Sequence, residues 1–255
     1  MPYLWTRSRG AHFDFRRTDF TTLFHMALYI LLFLGTMVIS LVAAARVKGT
    51  YLRYSQVPAS SGATGAQVAD AILRSAGIND VEIVEINEML GDHYDPTNKR
   101  LVLSSDNFHG SSVAALGVAA HECGHAIQHK IAYAPLHWRM AAIGAVNFVN
   151  PMLMWIPVLG MLRIVPWHGA LMVMTVCMGV IMMFNLVTLP VEFDASNRAK
   201  EILPNMGFIG TPEEMKGVRR TLDAAGWTYV AAFLTSLAYF LYYLLPLLAG
   251  GRRND

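Results

Sequence analysis

Long apolar stretches that carry no Asp, Glu, Lys or Arg alternate with polar segments along the 255-residue chain. The uncharged stretches are residues 20–45, 140–162, 164–191 and 224–251. About 20 apolar residues, rising about 1.5 Å each, cross the hydrocarbon core of a bilayer, so every one of the four is long enough to span. The transmembrane helices are assigned to 23–45, 140–162, 168–190 and 228–249. Asn147, Asn150, Pro151 and Pro157 interrupt the second, and predict a broken or kinked helix that is partly re-entrant. Residues 1–22, with Arg7, Arg9, Arg16 and Arg17, imitate the start of a signal peptide. The apolar run that follows exceeds the roughly 7–15 residues of such a peptide, which favours a retained anchor behind a cytoplasmic-type segment.

Two polar segments remain, 46–138 and 191–226, separated by two spans. An even number of crossings puts both on one face of the membrane, where they can build a single functional domain. In the first, Thr64 to Leu73 followed by Gly77 reads as a short amphipathic helix with a glycine stop. Val81 to Ile86 alternates at period two, and Lys99 to Ser104 is a second β-type run after the turn residues Asp95-Pro96-Thr97-Asn98. Ser111-Ser112 then caps a helix running to about Lys130. In the second segment, residues 191–203 are helical by pattern, and Thr211-Pro212-Glu213-Glu214 is a capped start to another helix. The fold class is a mainly α integral membrane protein of about four transmembrane helices with a small α+β part.

Composition agrees: 54% of residues are hydrophobic and 15% charged, against roughly 25% charged in a soluble domain. A net charge of +2 and the absence of a Lys/Arg-rich run argue against nucleic acid as a partner. Cys123 lies in a polar segment and Cys177 in an apolar stretch, a poor arrangement for a disulfide. The spans lack charged residues that would mark an ion or proton path, which weighs against a transporter. Met172, Met174, Met178, Met182 and Met183 read as adaptable packing within a span.

The chemistry-bearing motif is His121-Glu122-Cys123-Gly124-His125, the H-E-x-x-H pattern, on the helix of 112–130. Residues four apart share a helix face, so the two imidazoles can hold one metal ion while Glu122 points at its remaining coordination position. Zinc brings the pKa of a bound water to about 7, and a neighbouring carboxylate can take its proton. A catalytic zinc usually has three protein ligands; Glu192, at the opening of a helix at a membrane boundary, is the candidate third, with a simple helix-dipole role as the alternative. His129 continues the four-residue stack. Three successive turns span about 12 Å, too far for bonds near 2.0 Å, so it reads as a polar helix end or cleft residue. His93 and Tyr94 are candidates for stabilising an oxyanion, and Arg198 is a further candidate in the second segment.

Residues 118–129, the upstream Asp92-His93-Tyr94-Asp95-Pro96 and the downstream Pro190-Val191-Glu192-Phe193-Asp194-Ala195-Ser196 closely resemble bacterial membrane-bound neutral zinc metallopeptidases of the YugP type. The likeness runs from about residue 23 to 249. It implies a zincin-like, gluzincin-type catalytic part with one zinc per chain, His121, His125 and Glu192 as ligands, and Glu122 as general base. Many gluzincins place an aspartate four residues beyond the ligand glutamate, whereas this chain has Ser196 there and Asp194 at an offset of two. Both become candidates to orient a zinc histidine. Cys123 stands where a small or aliphatic residue is expected, and its offset from His121 directs it to another helix face. The resemblance further implies that the strand before the metal helix, Arg100, Leu101, Val102, Leu103 and Ser104, lies at a sheet edge and pairs with substrate backbone. The function implied is a zinc endopeptidase of the bacterial cytoplasmic membrane, acting on peptides or membrane proteins, with a regulatory membrane partner conceivable. The alternative is a catalytically silent membrane scaffold of the same fold, which would have no need of Glu122. Arginines at both termini and at Arg163 favour the cytoplasm for that side, and an extracytoplasmic site, while Arg46, Lys48, Arg53, Arg139, Arg198, Lys200, Arg219 and Arg220 near the spans on the site face weigh the other way.

Overall fold

The computed structural model describes residues 15–88 and 91–250, so most of the N-terminal segment lies outside the described residues. Four long helices carry the apolar stretches: α1 (Phe15–Tyr54), α5 (Ala134–Met161), α6 (Trp167–Asn205) and α7 (Pro212–Gly250). All four are long and apolar enough to cross a membrane. Tyr29 packs on Tyr239 and Tyr242, and a side chain at Gly217 would strike the Tyr54 ring. Helices α1 and α7 are therefore antiparallel neighbours, with Tyr54 and Gly217 at the end that bears the polar segments. The protein is a mainly α membrane protein with a small α+β part.

The expected break in the second span is absent. Helix α5 runs 28 residues through Pro151 and Pro157 without interruption. Each proline removes one backbone donor, a loss that a helix packed against neighbours tolerates. Likewise α6 does not stop at the membrane boundary: it passes Pro190 and continues to Asn205, so span and outer helix are one rod. Helix α7 starts at Pro212 as expected, with Thr211 Oγ1 accepting from Glu214 N.

On these rods sit α2 (Gly65–Ser75), β1 (Glu82–Ile86), β2 (His93–Asp95), β3 (Arg100–Ser104), α3 (Ser105–Phe108) and α4 (Val113–Lys130). Thr64 and Gln67 form a reciprocal capping box at the start of α2, and Gly77, at φ +64°, takes the left-handed conformation that turns the chain after it. Ser112 Oγ caps α4 by accepting from Ala115 N. The sheet order is β1-β3-β2, with β1 parallel and β2 antiparallel to β3.

That order corrects the expectation for Arg100–Ser104. The strand is central: β1 pairs with all five of its residues and β2 with Arg100 to Val102, so it is not the edge strand of the sheet, and Leu101 to Ser104 are buried. The sequence reading missed β2. Asp95 Oδ1 accepts from the backbone N–H groups of Thr97 and Asn98, and this turn folds His93-Tyr94-Asp95 back onto β3. Three residues are too few to show a period.

A core of Val68, Ile72, Leu101, Leu103, Leu116, Leu203 and Val218 welds α2, the sheet and α4 to the outer halves of α6 and α7. Gly124 decides how close α4 and α6 come. A Cβ there would lie 2.8 Å from Ala195 O and 3.0 Å from its Cα, so only glycine permits this approach. The contact sets Glu192, less than one turn before Ala195, opposite His121 and His125.

Candidate metal centre

Helix α4 presents His121 and His125 one turn apart, and their rings meet edge to face with centroids 4.7 Å apart. Glu192 Oε2 lies 3.4 Å from His121 Nε2 and 3.6 Å from His125 Nε2. Two donors bonded at about 2.0 Å to one tetrahedral zinc stand about 3.3 Å apart, so this spacing fits the ion. Glu192 is 2% exposed, and Oε2 makes no hydrogen bond of ordinary geometry among the described residues. A buried carboxylate oxygen without a donor is costly unless a cation meets it. Its other oxygen is satisfied: Arg139 Nη1 donates to Oε1 at 2.8 Å.

The distal nitrogens of both histidines are engaged. Ser196 Oγ lies 3.1 Å from His121 Nδ1, and Gln128 Oε1 lies 3.0 Å from His125 Nδ1. Since an amide oxygen only accepts, His125 carries a proton on Nδ1, so Nε2, the nitrogen facing Glu192, is the atom it can offer to a metal. Gln128 Nε2 in turn donates to Val191 O (2.7 Å) and Asp194 Oδ2 (2.8 Å). Arg198 closes the chain on Asp194, Nε to Oδ2 at 2.6 Å. Burial alone would lower the His125 pKa, but Glu192 and Glu122 outweigh it, and the value stands above that of ordinary histidine. The site's field favours positive charge.

Glu122 is 7% exposed. It lines two cavities, of about 180 and 230 Å³, that share Asp92, His121, Glu192 and Tyr229 with it. A carboxylate open to both cavities beside the His/His/Glu cluster is placed to exchange a proton with anything bound there.

The remaining sequence candidates separate. Ser196 and Asp194 both reach histidines of the cluster, Ser196 contacting His121 directly and Asp194 reaching His125 through Gln128. Arg198 acts on Asp194, away from the cavities. Tyr94 lines the larger cavity, but its hydroxyl pairs with His129 Nδ1 at 2.9 Å, which leaves it poorly placed for an oxyanion and places His129 at the seam of sheet and helix. His93 is exposed at the rim, with Nδ1 2.8 Å from Gly91 O. Cys123 is fully buried against α2, its thiol 3.6 Å from Ala69 O, and burial pushes its pKa well up, so it is an inert packing group. Asp92, an unassigned part of the quoted motif, accepts from Ser104 N, Ser104 Oγ and Asn107 Nδ2 and pins the loop that carries β2.

Sequence reasoning missed Gln128, Arg139 and Tyr229 as site residues. Gln128 had a signal, since it stands three residues past His125 on the same helix face. Arg139 and Tyr229 had none, because each comes to the site from a different membrane helix.

Residues 29–248 match the family described as "Putative neutral zinc metallopeptidase". The chain belongs to this family. It is 40% identical over 232 residues to the "Putative membrane protease YugP" of Bacillus subtilis (strain 168), an alignment that covers 89% of this chain and 100% of the relative. No solved structure matches the chain at a significant level. Membership agrees with the geometry: the family's name calls for a zinc site, and His121, His125 and Glu192 form a group able to hold a metal ion.

Proposed function

We propose that this family member is a zinc-dependent endopeptidase of the bacterial cytoplasmic membrane, cutting peptides or membrane-associated chains at the bilayer surface. The observation that carries the reading is the buried Glu192 Oε2, without a hydrogen bond of ordinary geometry among the described residues and facing the Nε2 atoms of His121 and His125. His121, His125 and Glu192 would hold one zinc, which when bound supplies a Lewis acid for the scissile carbonyl and acidifies a water. Glu122 accepts the proton of the attacking water and delivers it to the leaving amine. Gln128 Oε1 holds the proton of His125 on Nδ1, and Ser196, whose hydroxyl can accept from His121 Nδ1, orients the other imidazole. Arg139 fixes the Glu192 carboxylate by Oε1, so that Oε2 is the atom presented. Tyr229, which lines both cavities and interacts with Glu192, is the candidate donor to the developing oxyanion. The edge strand nearest the site, β2, offers main-chain groups to an extended substrate. With the arginines of both termini held in the cytoplasm, the site faces outward.

The test is proteolysis of an unfolded protein such as casein by detergent-purified protein. Cleavage is expected to stop on chelation and to return with added zinc. Cleavage indifferent to the chelator, or a protein that takes up no zinc, would contradict the reading.

The role of Arg139 is separately testable. Arg139→Ala is expected to weaken zinc binding by about 10–100-fold, the usual cost of removing a partner of a ligand. Competition with a chromogenic chelator measures it, and an unchanged affinity would show that the Glu192 carboxylate holds its position unaided.

A further inference from the structure

The smaller of the two cavities lies between α1 and α7, beside His121, Glu122 and Glu192. Its walls are Val47 from α1, Val118 from α4, and Leu222, Ala225 and Gly226 from α7. Of the four hydroxyls that border it, three are engaged elsewhere: Tyr51 donates to Asn107 Oδ1, Thr221 to Gly217 O, and Ser196 pairs with His121; the fourth, that of Tyr229, belongs to the side shared with the larger cavity. What remains is an apolar recess whose polar mouth is the candidate reaction centre. At about 180 Å³ it is below the roughly 300 Å³ of a small-molecule site, a size suited to one amino-acid side chain.

The ends of the apolar stretches fix its depth in the membrane. Val47 lies two residues outside the uncharged stretch 20–45, and Ala225 and Gly226 open the stretch 224–251. Arg139 and Glu192 each lie one residue outside an uncharged stretch. The recess is thus level with the boundary where all four apolar stretches end. A side chain entering it does so where lipid chains give way to headgroups.

We propose that this recess is a substrate subsite for a branched aliphatic or aromatic side chain on one fixed side of the scissile bond. The substrate class is chains that present such a residue at the bilayer boundary. The inference rests on the zinc-peptidase reading and adds the specificity determinants, Val47 and Ala225, whose small side chains on two helices leave the space. Burial of a leucine or phenylalanine side chain in such a recess is worth at least tenfold in affinity over glycine.

The test uses binding, since it needs no natural substrate. Full-length zinc-loaded Glu122→Gln protein in detergent is titrated calorimetrically with dipeptide hydroxamates that differ only in carrying a leucine, phenylalanine or glycine side chain next to the hydroxamate. The leucine and phenylalanine compounds are expected to bind at least tenfold tighter than the glycine compound. Ala225→Trp and, from the other helix, Val47→Trp are expected to shrink that advantage to about twofold or less, while the glycine compound binds as before and so reports an intact centre. Equal binding of all three compounds to the parent, or an undiminished advantage in both tryptophan variants, would overturn the subsite. A glycine compound that fails to bind, in a protein that holds no zinc, would instead overturn the peptidase reading beneath it.

Discussion

Replacing Glu192 with alanine is expected to leave a folded protein that no longer retains zinc. Two histidines one turn apart supply only two ligands, and a catalytic zinc site needs three from the protein. The fold is expected to tolerate loss of the carboxylate. Glu192 is 2% exposed, and its Oε2 makes no hydrogen bond of ordinary geometry among the described residues. Truncation therefore removes a desolvation cost along with the charge. Arg139, left without its partner, is 30% exposed by side chain and sits at a membrane boundary, where a long side chain can turn its head to water. Zinc per chain in detergent-purified protein, measured by atomic absorption, should fall from about one to near zero, with the helical circular dichroism unchanged. A variant that keeps its zinc would show that another group is the third ligand.

Much of the site was legible because its chemistry is compressed into one helix. His121, Glu122 and His125 are fixed relative to each other by helical periodicity alone, so their arrangement follows from spacing without any tertiary knowledge. Glu192 lay within reach of argument because two spans separate the polar segments, and parity puts both on one face. The partners of that carboxylate were beyond such reasoning. Arg139 and Tyr229 come from α5 and α7, and only the packing of the rods brings them in. The error over Arg100–Ser104 has a related cause: which strand of a sheet lies at the edge depends on pairing partners, and β2 is too short to declare itself. The division of labour between Ser196 and Asp194 is similar, since a two-residue offset becomes useful only because Gln128 bridges it.

Glu122→Gln should separate chemistry from metal binding. The amide is nearly the same size as the carboxylate and occupies a position 7% exposed, so packing around it is preserved. None of the atoms that cluster for a metal belongs to it; those are from His121, His125 and Glu192. Zinc content is therefore expected to match the parent. What the amide cannot do is accept a proton from water and return it to the leaving amine, and loss of a general base costs roughly 10²–10⁴ in rate. The fall should appear in kcat on casein-derived peptides with KM little changed, because Glu122 contributes to the transition state more than to substrate binding. A parent-like rate in a zinc-loaded variant would transfer the base role to another group in the cavities, with Asp92 the carboxylate besides Glu122 and Glu192 that lines both. Read beside Glu192→Ala, the pair gives a pattern that a silent scaffold cannot produce: one variant without metal, the other with metal and without turnover.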